Sequence, residues 1–303
     1  MYESAFQMGS DGFVFAGTGG RDSAVCSAGG LCRCSAGRAD PLQRPLLLSL
    51  FPFLVVSRLL IQCPESDLLA LPFRLAAWGI GIRTPCAARV LCIGFLGGFA
   101  PAASAAAQAV RTGQLTAEEA DTLLPACICS GPSFVVLTVG QSLLGSAELG
   151  VLLFASQITA NYLTAALLNR FVGVRSVKPG SAAPASPAPP RLDEILADAA
   201  ITYCKLCGFI LFFRMLAAGA GALLPAGAGT LCSILLEVCS GCDLASRTGR
   251  WGSLLCCAAL SVQGLSVLLQ VRTICPAEIS LRPLLAARAV ASAAFSVALF
   301  SWL

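Results

Sequence analysis

The chain has 303 residues, of which 56% are hydrophobic and only 12% are charged, and its mean hydropathy is +0.80. Soluble domains carry about 25% charged residues, and a soluble chain with so few would expose large apolar patches, so the composition predicts a membrane protein whose partner is the lipid bilayer. The formal net charge of +4, with no block of lysine and arginine, excludes a nucleic-acid-binding protein.

The hydrophobic pattern predicts an all-α fold, a polytopic transmembrane bundle of about seven or eight membrane segments, some broken or re-entrant, in two related halves. We expect a poorly ordered N-terminal segment at 1–44, a first membrane half at 45–171, a Pro/Ala/Ser linker at 172–191 and a second membrane half at 192–303. The candidate segments are the apolar runs 45–63, 68–82, 86–110, 123–144, 148–168, 203–224, 226–242, 252–271 and 281–303. Run 68–82 is short and contains Arg74, so we expect an interfacial segment or a half-helix, and run 86–110 either crosses or re-enters the membrane.

The first half also contains a helix start. Thr116 and Glu119 have the spacing of a capping box, in which each side chain accepts a hydrogen bond from an unpaired backbone N–H. This pattern predicts that a helix begins at Thr116.

Two apolar runs are interrupted by the same tripeptide. Cys129-Ser130-Gly131, followed by Pro132, breaks the run 123–144, and Cys239-Ser240-Gly241 ends the run 231–238. A helix breaks inside a membrane only where the break lines a cavity or is buried in protein, and matched breaks in two halves indicate a transporter binding site. We therefore predict that Ser130, Gly131, Pro132, Ser240 and Gly241 belong to a substrate-binding or gating site. The Gly-rich centre of run 86–110, with Gly97 and Gly98, is a further candidate.

Ionisable residues inside membrane segments are functional candidates. Glu237 stands in an apolar run, so it must face a cavity, a cation or a ligand; the alternative is a helix end that reaches the headgroups. Five basic residues are close enough to segment ends to extend to the interface. They are Arg58, Arg74, Lys205, Arg214 and Arg288. Asn161, Gln263 and Gln270 are expected to form interhelical hydrogen bonds or to contact a ligand.

The sixteen cysteines include two C-x-x-C pairs, Cys204 with Cys207 and Cys239 with Cys242. They could form a zinc site or serve a thiol enzyme, but we favour apolar packing, because free cysteine is a small, readily buried residue. The chain contains no histidine and no phosphate-binding loop of the G-x-x-x-x-G-K-[ST] type. We predict no catalytic residue, no metal and no cofactor, and a protein that is not an enzyme.

Five motifs resemble one family. FPFLVVSRLL, GFLGGFAP, GQLTAEEADTLL leading into SGPSF, LLEVCSG and QGLSVLLQV resemble, in this order, the YlbJ-type sporulation integral membrane proteins of the nucleoside-recognition or gate domain superfamily. Segments of that superfamily also occur in nucleoside transporters and ferrous-iron transporters. The resemblance implies two gate-like halves in the bacterial inner membrane, specifically in the mother cell's membrane around the forespore. The implied solute is dipicolinic acid, and the implied partners are further copies of the chain or other sporulation membrane proteins.

The resemblance also assigns residues. Ser130, Gly131 and Pro132 match the family's Ser-Gly-Pro, Glu237 and Gly241 match its second-half motif, and Gln270 matches a glutamine after Gly-Leu-Ser. Several polar family residues are replaced, namely by Ile128, Cys129, Phe99, Ser104 and Leu268. These replacements leave open a second function, a structural or assembly protein of the spore envelope.

For the transporter, we expect the break at Ser130 and Gly131 to offer unpaired N–H groups to an anionic carboxylate. Gly241 would be its counterpart in the second half. Glu237 would then carry a proton or a cation, or act as a gate.

Overall fold

The computed structural model describes residues 50–172, 191–288, 296–298 and 300–301, all within one compact unit, Ala39–Leu303. The predictions for 1–44 and for nearly all of the linker 172–191 lie outside these residues. The described residues form helices and turns with no strand. The all-α prediction is therefore confirmed, whereas the proposed domain boundaries stay predictions.

The first half is a series of short helices that ends in one long helix. The predicted capping box is present: the Thr116 side chain accepts from the Glu119 N–H, and the Glu119 carboxylate accepts from the Thr116 N–H. The helices are α1 (Leu50–Gln62), α2 (Leu71–Ile80), α3 (Pro85–Gly97), α4 (Phe99–Arg111), α5 (Ala117–Cys127), the π-helix α6 (Ser133–Leu143) and α7 (Ala147–Val172).

The second half begins with the longest helix, α8, and continues in shorter pieces. Its helices are α8 (Leu192–Leu223), α9 (Ala226–Leu236), α10 (Val238–Ser246), α11 (Gly252–Val262), α12 (Gly264–Ile274) and α13 (Arg282–Ala286).

Within the described residues, three helical stretches are long and apolar enough to cross a membrane: Ala147–Arg170, Leu192–Leu223 and Gly249–Ile274. A fourth is obtained if α2 and α3, which meet at 107°, count as one span. Helix α8 presents large apolar side chains outwards, and Leu211 and Met215 are 62% and 74% exposed. Water would strongly disfavour such a surface, so the helices indicate a membrane protein.

Within the described residues, four pairs of consecutive apolar helices are each separated by a short break. The breaks lie at Gly98 between α3 and α4, at 128–132 between α5 and α6, at Glu237 between α9 and α10, and at Gln263 between α11 and α12. The predicted break at Ser130-Gly131-Pro132 is confirmed. In the second half the helix breaks at Glu237, two residues before the predicted position at Cys239-Ser240-Gly241. Glu237 caps α10, and Cys239-Ser240-Gly241 belong to the first turn of that helix. The run 252–271 lies within the stretch Gly249–Ile274, which is long and apolar enough to span, and inside that stretch Gln263 and Gly264 both adopt positive φ.

The breaks touch in pairs. Gly98 has φ +83°, and a Cβ atom on it would lie 2.7 Å from the Gly131 nitrogen. Gly264 has φ +70°, and a Cβ atom there would lie 2.9 Å from the Leu236 carbonyl carbon. Glycine is needed at both positions for its backbone conformation and for the close approach of a second chain segment. Each half thus brings two of its breaks into backbone contact.

Gly98→Ala is expected to lower the free energy of unfolding by at least about 3 kcal/mol. The added methyl group would be strained at positive φ and would also clash with the backbone of Gly131. Gly113→Ala is the matched control: Gly113 has φ +69° but no atom within 4 Å of its Cβ position. Its loss should be about 1–2 kcal/mol. Chemical unfolding in detergent micelles measures both values, and equal losses would contradict the close contact.

Candidate functional site

A small cavity lies where the breaks of both halves meet, and we call it the break pocket. It has a volume of about 50 Å³, enough for a few water molecules or a desolvated ion. Its lining includes Gly97, Gly98, Ser130, Gly131, Glu237 and Gln270. Segments that are far apart in the sequence therefore form one cavity.

The structure brings together six of the nine residues that the sequence assigned to the site. The other three do not line the pocket. Pro132 precedes the first residue of α6, Ser240 hydrogen-bonds to Glu237, and Gly241 packs its backbone against Ile234. The assigned binding and gating roles stay predictions.

Glu237 is buried, with 2% of its surface exposed, so it does not reach the headgroups. Its carboxylate caps α10, because it accepts hydrogen bonds from the Cys239 N–H at 2.9 Å and the Ser240 N–H at 2.7 Å. The Ser240 hydroxyl donates a third bond at 2.9 Å. The positive end of α10 and these donors stabilise a charged carboxylate at this depth. Glu237 therefore supports the break and lines the cavity at once.

Gln270 contributes an acceptor to the pocket. Its amide nitrogen donates to the Ser266 hydroxyl at 2.8 Å, whereas its buried carbonyl oxygen has no partner among the described residues. A buried acceptor without a partner is costly, so this oxygen would gain a hydrogen bond from any donor that reached it.

The break after α5 holds both acceptors and donors. The Gly131 carbonyl accepts from the N–H groups of Phe134 and Val135, at 3.1 and 3.0 Å. The N–H groups of Ser130 and Gly131 donate to no other backbone group in the described part of the chain. This arrangement provides the unpaired donors that an anion would require.

Arg288 was expected to reach the interface, and this was wrong: it is only 3% exposed. Its guanidinium donates to the carbonyl of Ile128, where α5 ends, and to the carbonyl of Ser261 in the last turn of α11 at 2.8 Å. A third bond joins it to the Asn161 side chain at 3.2 Å, and Asn161 donates to the Ile128 carbonyl as well. A cation at two helix C-termini complements both helix dipoles. The sequence did not reveal this role, because Arg288 stands close to the start of an apolar run.

Gln263 is a second polar residue whose position the sequence did not reveal. It is 1% exposed, has φ +60°, and neither side-chain amide atom has a partner among the described residues. A non-glycine residue with positive φ is uncommon, and it marks the break between α11 and α12. A glutamine directly before glycine was the only sequence signal.

The cysteines with described surroundings are free thiols. In that part of the chain no group of three His, Cys, Asp or Glu side chains is placed to hold a metal ion. Cys242 and Cys256 lie in apolar surroundings, where the Cys256 thiol donates to the Cys242 carbonyl at 3.5 Å.

No family model matches this chain, and no curated protein and no solved structure matches it. The fold and the break pocket define the protein at the level of class, a helical membrane protein with broken helices around a small cavity.

Arg288→Ala should lower the free energy of unfolding by about 3 kcal/mol or more, because the buried Ser261 carbonyl loses the side chain that donates to it and the Ile128 carbonyl keeps only Asn161 as a side-chain donor. Arg288→Lys, which retains the charge, should lose less. The control is Arg282→Ala, an exposed arginine at the start of α13, for which we expect a change within about 0.5 kcal/mol. Chemical unfolding in micelles measures all three, and equal losses for Arg288→Ala and Arg282→Ala would contradict the bridging role.

Proposed function

We propose that this protein is an integral membrane transporter or permease component that moves a small anionic metabolite. By family resemblance the solute is dipicolinic acid, and the location is the outer forespore membrane during sporulation. We further propose seven or eight membrane segments, in which broken helix pairs such as α5 with α6 and α9 with α10 count as discontinuous spans. Further copies of the chain or other sporulation membrane proteins are the proposed partners.

The observation that carries this proposal is the meeting of breaks from both halves at one cavity, whose mostly apolar lining contains the polar side chains of Glu237 and Gln270. Transporters place solute and ion sites where discontinuous helices of two repeats face each other. Helix breaks are tolerated in a membrane where they line such a cavity. A purely structural bundle has no need for a break on each side of the same cavity.

The break pocket supports distinct roles for its two sides. The free N–H groups of Ser130 and Gly131 suit a carboxylate, and Glu237 opposite them suits a proton or a small cation. A bare carboxylate repels an anion, so neutralising Glu237 would favour the passage of the solute. Glu237 in this scheme is the carrier of the coupling charge or the gate.

The size of the cavity adds a requirement. A cavity of about 150 Å³ accommodates a benzene ring, whereas the break pocket has about 50 Å³. A ring with two carboxylates would need a more open conformation, as in alternating access. In the observed conformation the pocket suits water or an ion.

Glu237→Gln should reduce uptake of dipicolinate into proteoliposomes by at least about tenfold, which corresponds to about 1.4 kcal/mol in the limiting step. The amide keeps a carbonyl oxygen that can still cap α10. Glu148→Gln is the control, since it removes the same charge from the exposed start of α7, and its uptake should be unchanged. Undiminished transport by Glu237→Gln would remove this residue from the mechanism.

A second function, a structural or assembly protein of the spore envelope, is favoured by the apolar side chain of Ile128 next to the break and by the small cavity. Deleting the gene and measuring dipicolinate in both compartments separates the two. Accumulation outside the forespore supports transport, whereas normal loading of the spore supports the structural role.

A further inference from the structure

A second, larger cavity lies beside the break pocket, and we call it the basic vestibule. It has a volume of about 160 Å³ and is formed by residues of α1, α4, α8 and α12. Its charged side chains are Arg58 from α1, Arg111 from α4, and Asp198 and Lys205 from α8. Three positive charges and one negative charge thus face one cavity, so its potential is positive.

Among these charged side chains, Arg58 is held in place by polar contacts. It is 8% exposed, and its guanidinium pairs with the Asp198 carboxylate at 2.8 Å and donates to the Thr202 hydroxyl at 3.2 Å. The Nε atom of Arg58 is buried without a partner among the described residues. The guanidinium has five N–H donors, of which Asp198 and Thr202 use one on each terminal nitrogen, so these two nitrogens can still donate to a further acceptor in the cavity.

The other two cations of the vestibule are Arg111 and Lys205. Both are exposed, and neither forms an ion pair with another residue in the described ranges. Arg111 lies in the last turn of α4, where a cation complements the helix dipole. That local effect does not explain why a lysine from another helix, α8, lines the same cavity. Two cations without an ion-pair partner on one cavity favour an anion as its ligand.

The two cavities share one residue. Gln270 lines both the basic vestibule and the break pocket, and its carbonyl oxygen is without a partner among the described residues. The vestibule has room for a small ring or a short dicarboxylate, whereas the break pocket does not. A solute can therefore be held in the vestibule while the break pocket is closed.

We propose that the basic vestibule binds a small dianion that carries carboxylate or phosphate groups, with Arg111 and Lys205 as its charge partners and Arg58 as a buried donor. That this dianion is a transported solute rests on the proposed function. A lipid phosphate has the same chemistry, and the experiment below separates the two sources.

The binding test uses the full chain in nanodiscs of zwitterionic phosphatidylcholine, with dipicolinate, succinate and inorganic phosphate as probes in titration calorimetry, and it is repeated in nanodiscs that contain phosphatidylglycerol. We expect saturable binding that weakens as ionic strength rises, because exposed cations are screened by salt. The variant Arg111→Gln/Lys205→Gln should bind at least about tenfold more weakly, since two charge-assisted contacts are lost. The control Arg250→Gln/Arg282→Gln removes two exposed arginines that line neither cavity, and its affinity should be unchanged.

Three results would overturn the proposal. They are absence of saturable binding by every probe, equal affinity of the Arg111→Gln/Lys205→Gln variant and the unchanged chain, and binding of phosphatidylglycerol headgroups that no free anion displaces. The last result would assign the vestibule to lipid.

Uptake into proteoliposomes separates this proposal from the proposed function. If the unchanged chain transports dipicolinate and the Arg111→Gln/Lys205→Gln variant transports it equally well, the vestibule proposal fails and the transporter stands. If binding depends on Arg111 and Lys205 but no solute is transported, the vestibule stands and the transporter fails.

Discussion

Backbone groups that a helix break sets free inside an apolar environment must find partners within the protein, and the described structure is organised around this requirement. The Ile128 carbonyl, released where α5 ends, accepts from Arg288 and Asn161. The first N–H groups of α10 donate to the Glu237 carboxylate. Each of these breaks persists because a buried polar side chain satisfies it, since an unpaired group in hydrocarbon costs several kcal/mol. Arg288, Asn161 and Glu237 are therefore buried polar residues that lie at breaks.

The same hydrogen bonds join the two halves. Arg288 connects the end of α5 in the first half to the end of α11 in the second, and Gln157 on α7 donates to the Leu260 carbonyl of α11 at 2.7 Å. The break pocket lies between these halves, so its shape depends on bonds made outside it. A substitution at Arg288 would change the pocket without touching any solute. Similarly, Glu237 both caps α10 and lines the break pocket. Only a variant whose side chain can still accept the hydrogen bonds of the cap tests the role in the pocket separately.

The charges of the two cavities are opposite in sign. The basic vestibule has a surplus of positive side chains, whereas the break pocket contains the carboxylate of Glu237. An anion held at Arg111 and Lys205 would meet that carboxylate on its way inwards, beyond Gln270. Such a path is favourable only when a proton, a cation or the amides at the start of α10 offset the charge of Glu237. In the proposed transporter, this arrangement would link solute movement to a coupling ion.

Local patterns account for what the sequence by itself determined. The all-α fold, the helix start at Thr116 and the break at Ser130-Gly131-Pro132 depend on hydrophobic runs, a capping pair and a proline, whose effects extend over a few residues. The importance of Glu237 was also visible, because a carboxylate in an apolar run needs a partner. Only the tertiary structure decided that Arg288 bridges two helix ends, that α11 breaks at Gln263, and that Gly98 and Gly131 touch. The reason is that the partner of a buried polar group is set by which helices pack together, and residues far apart in the chain meet only after folding.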